Sequence, residues 1–169
     1  SAFTMGIACA DIQGQDLTLR GVIPYDTPER SGGQAFFARL ANDGRRVYSY
    51  LRDFVSDTAP WEDWRNDAYI ADIVSGEVTR LELGPGLVYR QALSDLYALY
   101  FTLHPDGDNA VLLDTNPKSP TFHQIIARIP LDPLQNPPPR GGDPFTAESR
   151  RVSISPDGRW GFISHGGDG

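Results

Sequence analysis

The side chains best suited to chemistry gather in one stretch, RDFVSDTAPWEDWRND (52–67). It sets Trp61, Trp64 and Arg65 among Asp53, Asp57, Glu62, Asp63 and Asp67. Two exposed indoles ringed by carboxylates can cage a cation, or give a sugar or peptide a stacking platform. The same indoles can instead pack the loop onto its neighbours, and the sequence leaves both readings open. Of the three histidines, His123 and His165 could ligate a metal together with Asp168 or Asp114. None of them has the close spacing of a compact ligand motif, so a solvated or hydrogen-bonded histidine competes with that role. No GxSxG elbow or HExxH helix is present, and HGGDG (165–169) lacks the strand and GxxxxGK context of a phosphate loop. Cys9, the only cysteine, falls in the apolar alternation GIACADI and reads as a small buried hydrophobe. No catalytic set emerges and no cofactor is indicated.

These residues need elements to hold them. A chain of 169 residues is one ordinary domain. Its formal charge of −7 repels phosphate backbones, which argues against nucleic-acid binding. No apolar run is long enough for a membrane-spanning helix. Seventeen glycines and fourteen prolines, with 11% aromatics, point to many turns between short strands. The start at Ser1, without an initiator Met, fits a mature form freed of its signal peptide or a piece of something longer.

The chain repeats itself. AFFARLANDGRRVYSYL (35–51), YALYFTLHPDGDNAVLLD (97–114) and RVSISPDGRWGFIS (151–164) each set an Asp-Gly turn between two strand-like runs. Glycine adopts positive φ there without a Cβ clash, which makes Asp-Gly a strong hairpin signal. A second pair, ACADIQGQDLTLRGV (8–22) and AYIADIVSGEVTRLEL (68–83), shares Ala-Asp-Ile, a turn glycine and a closing alternation. The two hairpin types interleave, so consecutive hairpins predict four-stranded antiparallel meanders. LVYRQALSDLYALYF (87–101) is the ambiguous stretch. Leu93, Leu96, Tyr97 and Tyr100 have helical spacing, and a helix there would shorten the strand that follows.

These motifs resemble the blades of TolB-like, or YVTN-like, β-propellers. Ser155-Pro156-Asp157-Gly158 matches their Ser-Pro-Asp-Gly signature, LHPDGDNAVLL and LANDGRRVYSYL are looser copies, and YIADIVSGEVTRLEL resembles the outer-strand unit. The resemblance implies an all-β fold of four-stranded antiparallel blades, about three blades' worth. Its phasing gives an outer half-blade at 5–23, blades at 35–83 and 97–133, and an inner half-blade at 150–169. A β-sandwich is the competing architecture.

In that phasing the links 24–34, 52–66, 84–96, 115–121, 130–149 and 165–169 share one face. His123 and His165 then join the tryptophan loop, and His104 lies at the other end. Long loops on one side of a rigid scaffold are where binding residues collect. The Pro-rich stretch IPLDPLQNPPPRGGDPF (129–145), which carries Arg140, reads as a semi-rigid connector or a docking strap. The expected function is a noncatalytic scaffold that engages a protein partner, or the remainder of the same propeller, through its long-loop face and open edges. A homo-oligomer closing a six-blade ring is one form of this. The alternative is a segment of a propeller enzyme, a metal-dependent oxidoreductase or hydrolase. The resemblance and the Ser1 start imply a periplasmic or extracellular location.

Overall fold

A computed structural model describes residues 6–25, 34–53, 60–104, 106–131 and 151–164. Every regular element there is a β-strand except one 3-10 turn at Trp61–Asp63. Strands β1 (Gly6–Gln13) and β2 (Asp16–Pro24) pair as a hairpin. Strands β3 (Gln34–Leu40), β4 (Arg46–Asp53), β5 (Arg65–Asp72) and β6 (Val78–Pro85) form an antiparallel meander in chain order. A second meander comprises β7 (Leu87–Leu93), β8 (Tyr97–Leu103), β9 (Asn109–Asp114) and β10 (Ile125–Pro130). A short hairpin of β11 (Val152–Ile154) and β12 (Gly161–Ile163) completes the described strands. The fold is all-β and blade-like.

The two meanders pack face to face. Tyr48, Tyr50, Ala68 and Ile70 of the first meet Val88, Ala98, Tyr100 and Val111 of the second in one buried cluster. The alanines leave room for the tyrosines, and Tyr50 and Tyr100 meet edge to face with ring centroids 6.5 Å apart. Strands β5 and β8 are buried along nearly their whole length, and β8 reads as a nearly continuous apolar run.

The sheets are also joined in register along their width. Arg128 of β10 donates from Nη2 to the Glu82 carbonyl of β6 at 2.9 Å, which binds outer strand to outer strand. Asn42 Nδ2, in the β3–β4 turn, donates to Asp95 Oδ1 in the β7–β8 turn at 2.7 Å. Between β6 and β7 the whole connection is Gly86, at φ 91°, where a Cβ would stand 2.2 Å from the Leu103 carbonyl oxygen. Buried Asn66 locks this link, donating to the Gly86 carbonyl at 2.7 Å and accepting the Val88 N–H at 3.1 Å.

Two expectations change. Residues 87–93, expected as part of a link or of a helix, form strand β7. The turn after it needs no glycine because Ser94 supplies the hydrogen bonds. Its N–H donates to the Tyr97 carbonyl at 2.8 Å, and its hydroxyl accepts the Tyr97 N–H at 3.1 Å. The second meander therefore runs 87–130, not 97–133, and its outermost strand is β10. The Asp106-Gly107 turn accordingly joins second and third strands, whereas Asn42-Asp43-Gly44 joins first and second. This one-strand slip exchanges the ends at which the loops within the second meander emerge. The loop 115–124 with His123 lies beside the Gly44 and Gly76 turns, and His104 lies on the tryptophan-loop side, its ring near Gly86.

Candidate functional site

The tryptophan loop is a packing device. Pro60 leads into the 3-10 turn, where the Asp63 N–H donates to the Pro60 carbonyl at 3.0 Å. This directs Trp61 inward, and only 2% of it remains exposed, in a cluster with Leu87, Phe101 and Leu103 of the second meander. Trp64 packs against the same cluster, and its carbonyl accepts the Gly86 N–H at 2.8 Å. A cation cage needs free indole faces, so the cage expectation is corrected to interior packing for Trp61, with Trp64 half-buried against the same cluster. Asp67 is buried in β5 and paired with Arg80, whose Nη2 lies 2.6 Å away. Arg65 is exposed at the start of β5, with its backbone opposite Asp53 of β4. Asp57 and Arg140 lie outside the described residues.

His123 occupies the opposite end. Its loop is tied to Asp114, whose Oδ1 accepts the Asn116 N–H at 2.8 Å and whose Oδ2 accepts the Thr121 hydroxyl at 2.6 Å. Burial alone would raise the Asp114 pKa. The hydrogen bonds from Ser119, Thr121 and Asn116 outweigh it and hold the carboxyl below its ordinary range. His123 closes the loop at φ 61°, the one described non-glycine residue with positive φ. Its ring stacks on Phe122 with centroids 3.7 Å apart, and Nε2 lies 3.3 Å from the Tyr48 hydroxyl. Burial, then the nearby Arg46 charge, pull its pKa down to about 4. The imidazole is thus neutral near pH 7. The adjoining cleft, about 320 Å³, is lined by Arg45, Arg46, Asp72 and Glu77 among others. Arg45 pairs with Asp72 and Arg46 with Asp43, so the charges largely cancel.

Among the described residues, no three His, Cys, Asp or Glu side chains stand together as a metal site. His165 and Asp168 lie outside the described residues, so His123 and Asp114 alone of that set are placed. They meet through the loop backbone, where the His123 N–H donates to the Asp114 carbonyl at 2.9 Å.

A further feature carries no chemical motif. Hairpin β11–β12 covers the β7–β8 half of the second meander, and Val152 packs on the Leu87–Phe101 cluster. Beside it no described residue covers the β9–β10 half, which leaves an apolar groove of about 600 Å³. Leu99, Leu112, Ile126 and Ile129 line the meander side, and Gly161 and Ile163 line the hairpin side. The hairpin bonds Ser155 to Trp160 and Arg151 to Ser164. Alternation along an antiparallel ladder then turns the Gly161 and Ile163 amides away from β11, towards an edge with no strand partner among the described residues. Phe162, on the outer face of this hairpin, is 58% exposed.

The sequence reading missed this groove, although β1 and β2 hold a matching signal. Apolar residues fall at both parities there, so both faces of that hairpin suit burial. Ile7 and Ile23 pack on the first meander beside Val78 and Tyr69. Ala8, Ala10 and Ile12 with their partners Val22, Leu19 and Leu17 form the other face, which is open, Ile12 being 76% exposed. No helix among the described residues is long and apolar enough to cross a membrane. No family model matches the chain, and no curated protein matches it.

Proposed function

We propose that this chain is a noncatalytic scaffold built of propeller-type blades, which binds a polypeptide partner by strand addition. One observation carries the reading: an apolar half-face that no described residue covers lies beside a strand edge whose amides point outward. A strand laid along β12 would satisfy the Gly161 and Ile163 amides and cover Leu112, Ile126 and Ile129 in the same step. Backbone hydrogen bonds would give affinity, and alternate side chains entering the groove would give selectivity.

The propeller reading is supported by how the layers stack. Hairpin β1–β2 packs with a cluster spanning β4 to β6 of the first meander, and hairpin β11–β12 on the inner strands β7 and β8 of the second. The Arg128 and Asn42 bonds likewise join outer to outer and inner to inner. Units set side by side around an axis pack in this matched way. The resemblance of Ser155-Pro156-Asp157-Gly158 to a blade signature points the same way.

The test is hydrogen exchange at β12 with a synthetic peptide of alternating valine and threonine as probe. Slower exchange at Gly161 and Ile163, abolished by Ile129→Asp, is expected. Exchange that no concentration of the peptide slows, in protein dilute enough to be monomeric, would overturn the reading.

A further inference from the structure

Resting on that reading, we propose that the partner is a second copy of this chain and that the segment entering the groove is its β1–β2 hairpin. Each copy would complete its partner's last layer as a mixed four-stranded sheet, ordered β11–β12 from one copy and β1–β2 from the other.

Three observations select this occupant. Both complete sheets have four strands, whereas the first and last layers have two each among the described residues. Two and two make one sheet of the standard size. The halves also differ in kind: β11–β12 stacks on the inner strands β7 and β8 and has no outer half among the described residues, while Ile7 and Ile23 of β1–β2 pack with Leu51, Tyr69, Ala71 and Val78, a cluster spanning β4 to β6. The hairpin is thus weighted towards the outer strands of its own first meander, and the groove lies over the outer strands of the second.

The surfaces match as well. A β-bulge where Cys9–Ala10 pairs with Gly21 and Leu19 shifts the register, so Leu19 lands on the same face as Val22. Ile12, Leu17, Leu19 and Val22 thus make one apolar face, all of it exposed. The floor that it would cover, Leu112, Ile126 and Ile129, is equally apolar. An exposed apolar face of this extent on a sheet marks an association surface. The contact is head to tail, one copy's hairpin in the other's groove, so it forms a ring where the rotation closes. Counted over the described residues, two copies supply four complete sheets and two mixed ones. Six blades fall within the range at which propellers close.

The experiment measures mass by light scattering and sedimentation on the full chain at tens of micromolar. Wild type is expected at twice the 18.6 kDa of one chain. Leu19→Glu on the hairpin and Ile129→Asp in the groove each spoil both contacts of a homodimer, and each is expected to weaken association at least tenfold. Mixed in equal amounts, the two variants regain one wild-type contact, and dimer is expected to reappear. Val22→Glu and Ile126→Asp, on the same two faces, serve if either first choice loses its fold. A monomeric wild type, variants that still dimerise, or a mixture without rescue would each overturn the inference. Protection of β12 by the valine–threonine peptide alongside any of these results would leave strand addition standing and remove only the second copy as its source.

Discussion

His123 pairs a strained backbone with a suppressed charge. A left-handed conformation costs a residue with a Cβ about 1 kcal/mol or more, and Phe122, Tyr48 and the Asp114 carbonyl hold it there. Its folded pKa of about 4 lies below the ordinary 6.5, so the unfolded chain takes up the proton first. Stability should therefore fall as pH drops from about 6.5 to 4, by roughly 1–2 kcal/mol once half-exposure is allowed for. His123→Asn, which tolerates the left-handed backbone, should flatten that slope, as read from urea midpoints between pH 4 and 7. Equal slopes in both proteins would remove this account of the loop. The tryptophans make a second prediction at this scale. Trp61→Ala should cost about 3–5 kcal/mol in denaturant unfolding, and Trp64→Ala distinctly less, because Trp61 is fully enclosed. A cage that served a ligand would show the reverse ordering, with little loss of stability. Residue types identified this stretch as notable, but only burial distinguishes a clamp from a binding surface.

Among the elements, the turns separate local from non-local causes. Gly44 and Gly86 both have positive φ, yet a Cβ at Gly44 meets nothing within 4 Å, while at Gly86 it meets the Leu103 backbone. Gly44→Ala should cost about 1 kcal/mol, from conformation alone. Gly86→Ala should cost roughly 3 kcal/mol or more, because the inter-sheet link must also shift. Thermal unfolding of the two variants side by side checks this, and comparable losses would mean that the link is slack. The same contrast explains which strands were legible. Asp43-Gly44 and Asp157-Gly158 announce their hairpins through backbone chemistry. The β7–β8 turn does so weakly, because Ser94 replaces a glycine with side-chain hydrogen bonds and Leu96 imitates a helical period. That one ambiguity displaced a strand and exchanged the ends of the loops within the second meander.

Over the whole molecule, order should fall from the middle layers outward. The amides of β8, buried between two paired strands, should exchange with solvent most slowly. Those of β1–β2 should exchange much faster in dilute protein, since one face of that hairpin is bare. Hydrogen exchange with fragmentation of the labelled chain reads this gradient. Equal protection in β1 and β8 at the lowest concentrations would show that the hairpin is secured without a neighbour.

The sequence by itself determined the features that short-range physics controls. Period-two alternation and turn glycines specify strands, hairpins and four-stranded meanders, because those preferences act within a few residues. Tertiary structure decided the rest: which end each loop occupies, that Trp61 is enclosed, that His123 is neutral at ordinary pH, and that no described residue covers one apolar half-face. Each of these depends on which sheet lies against which, and residues distant in the chain determine that.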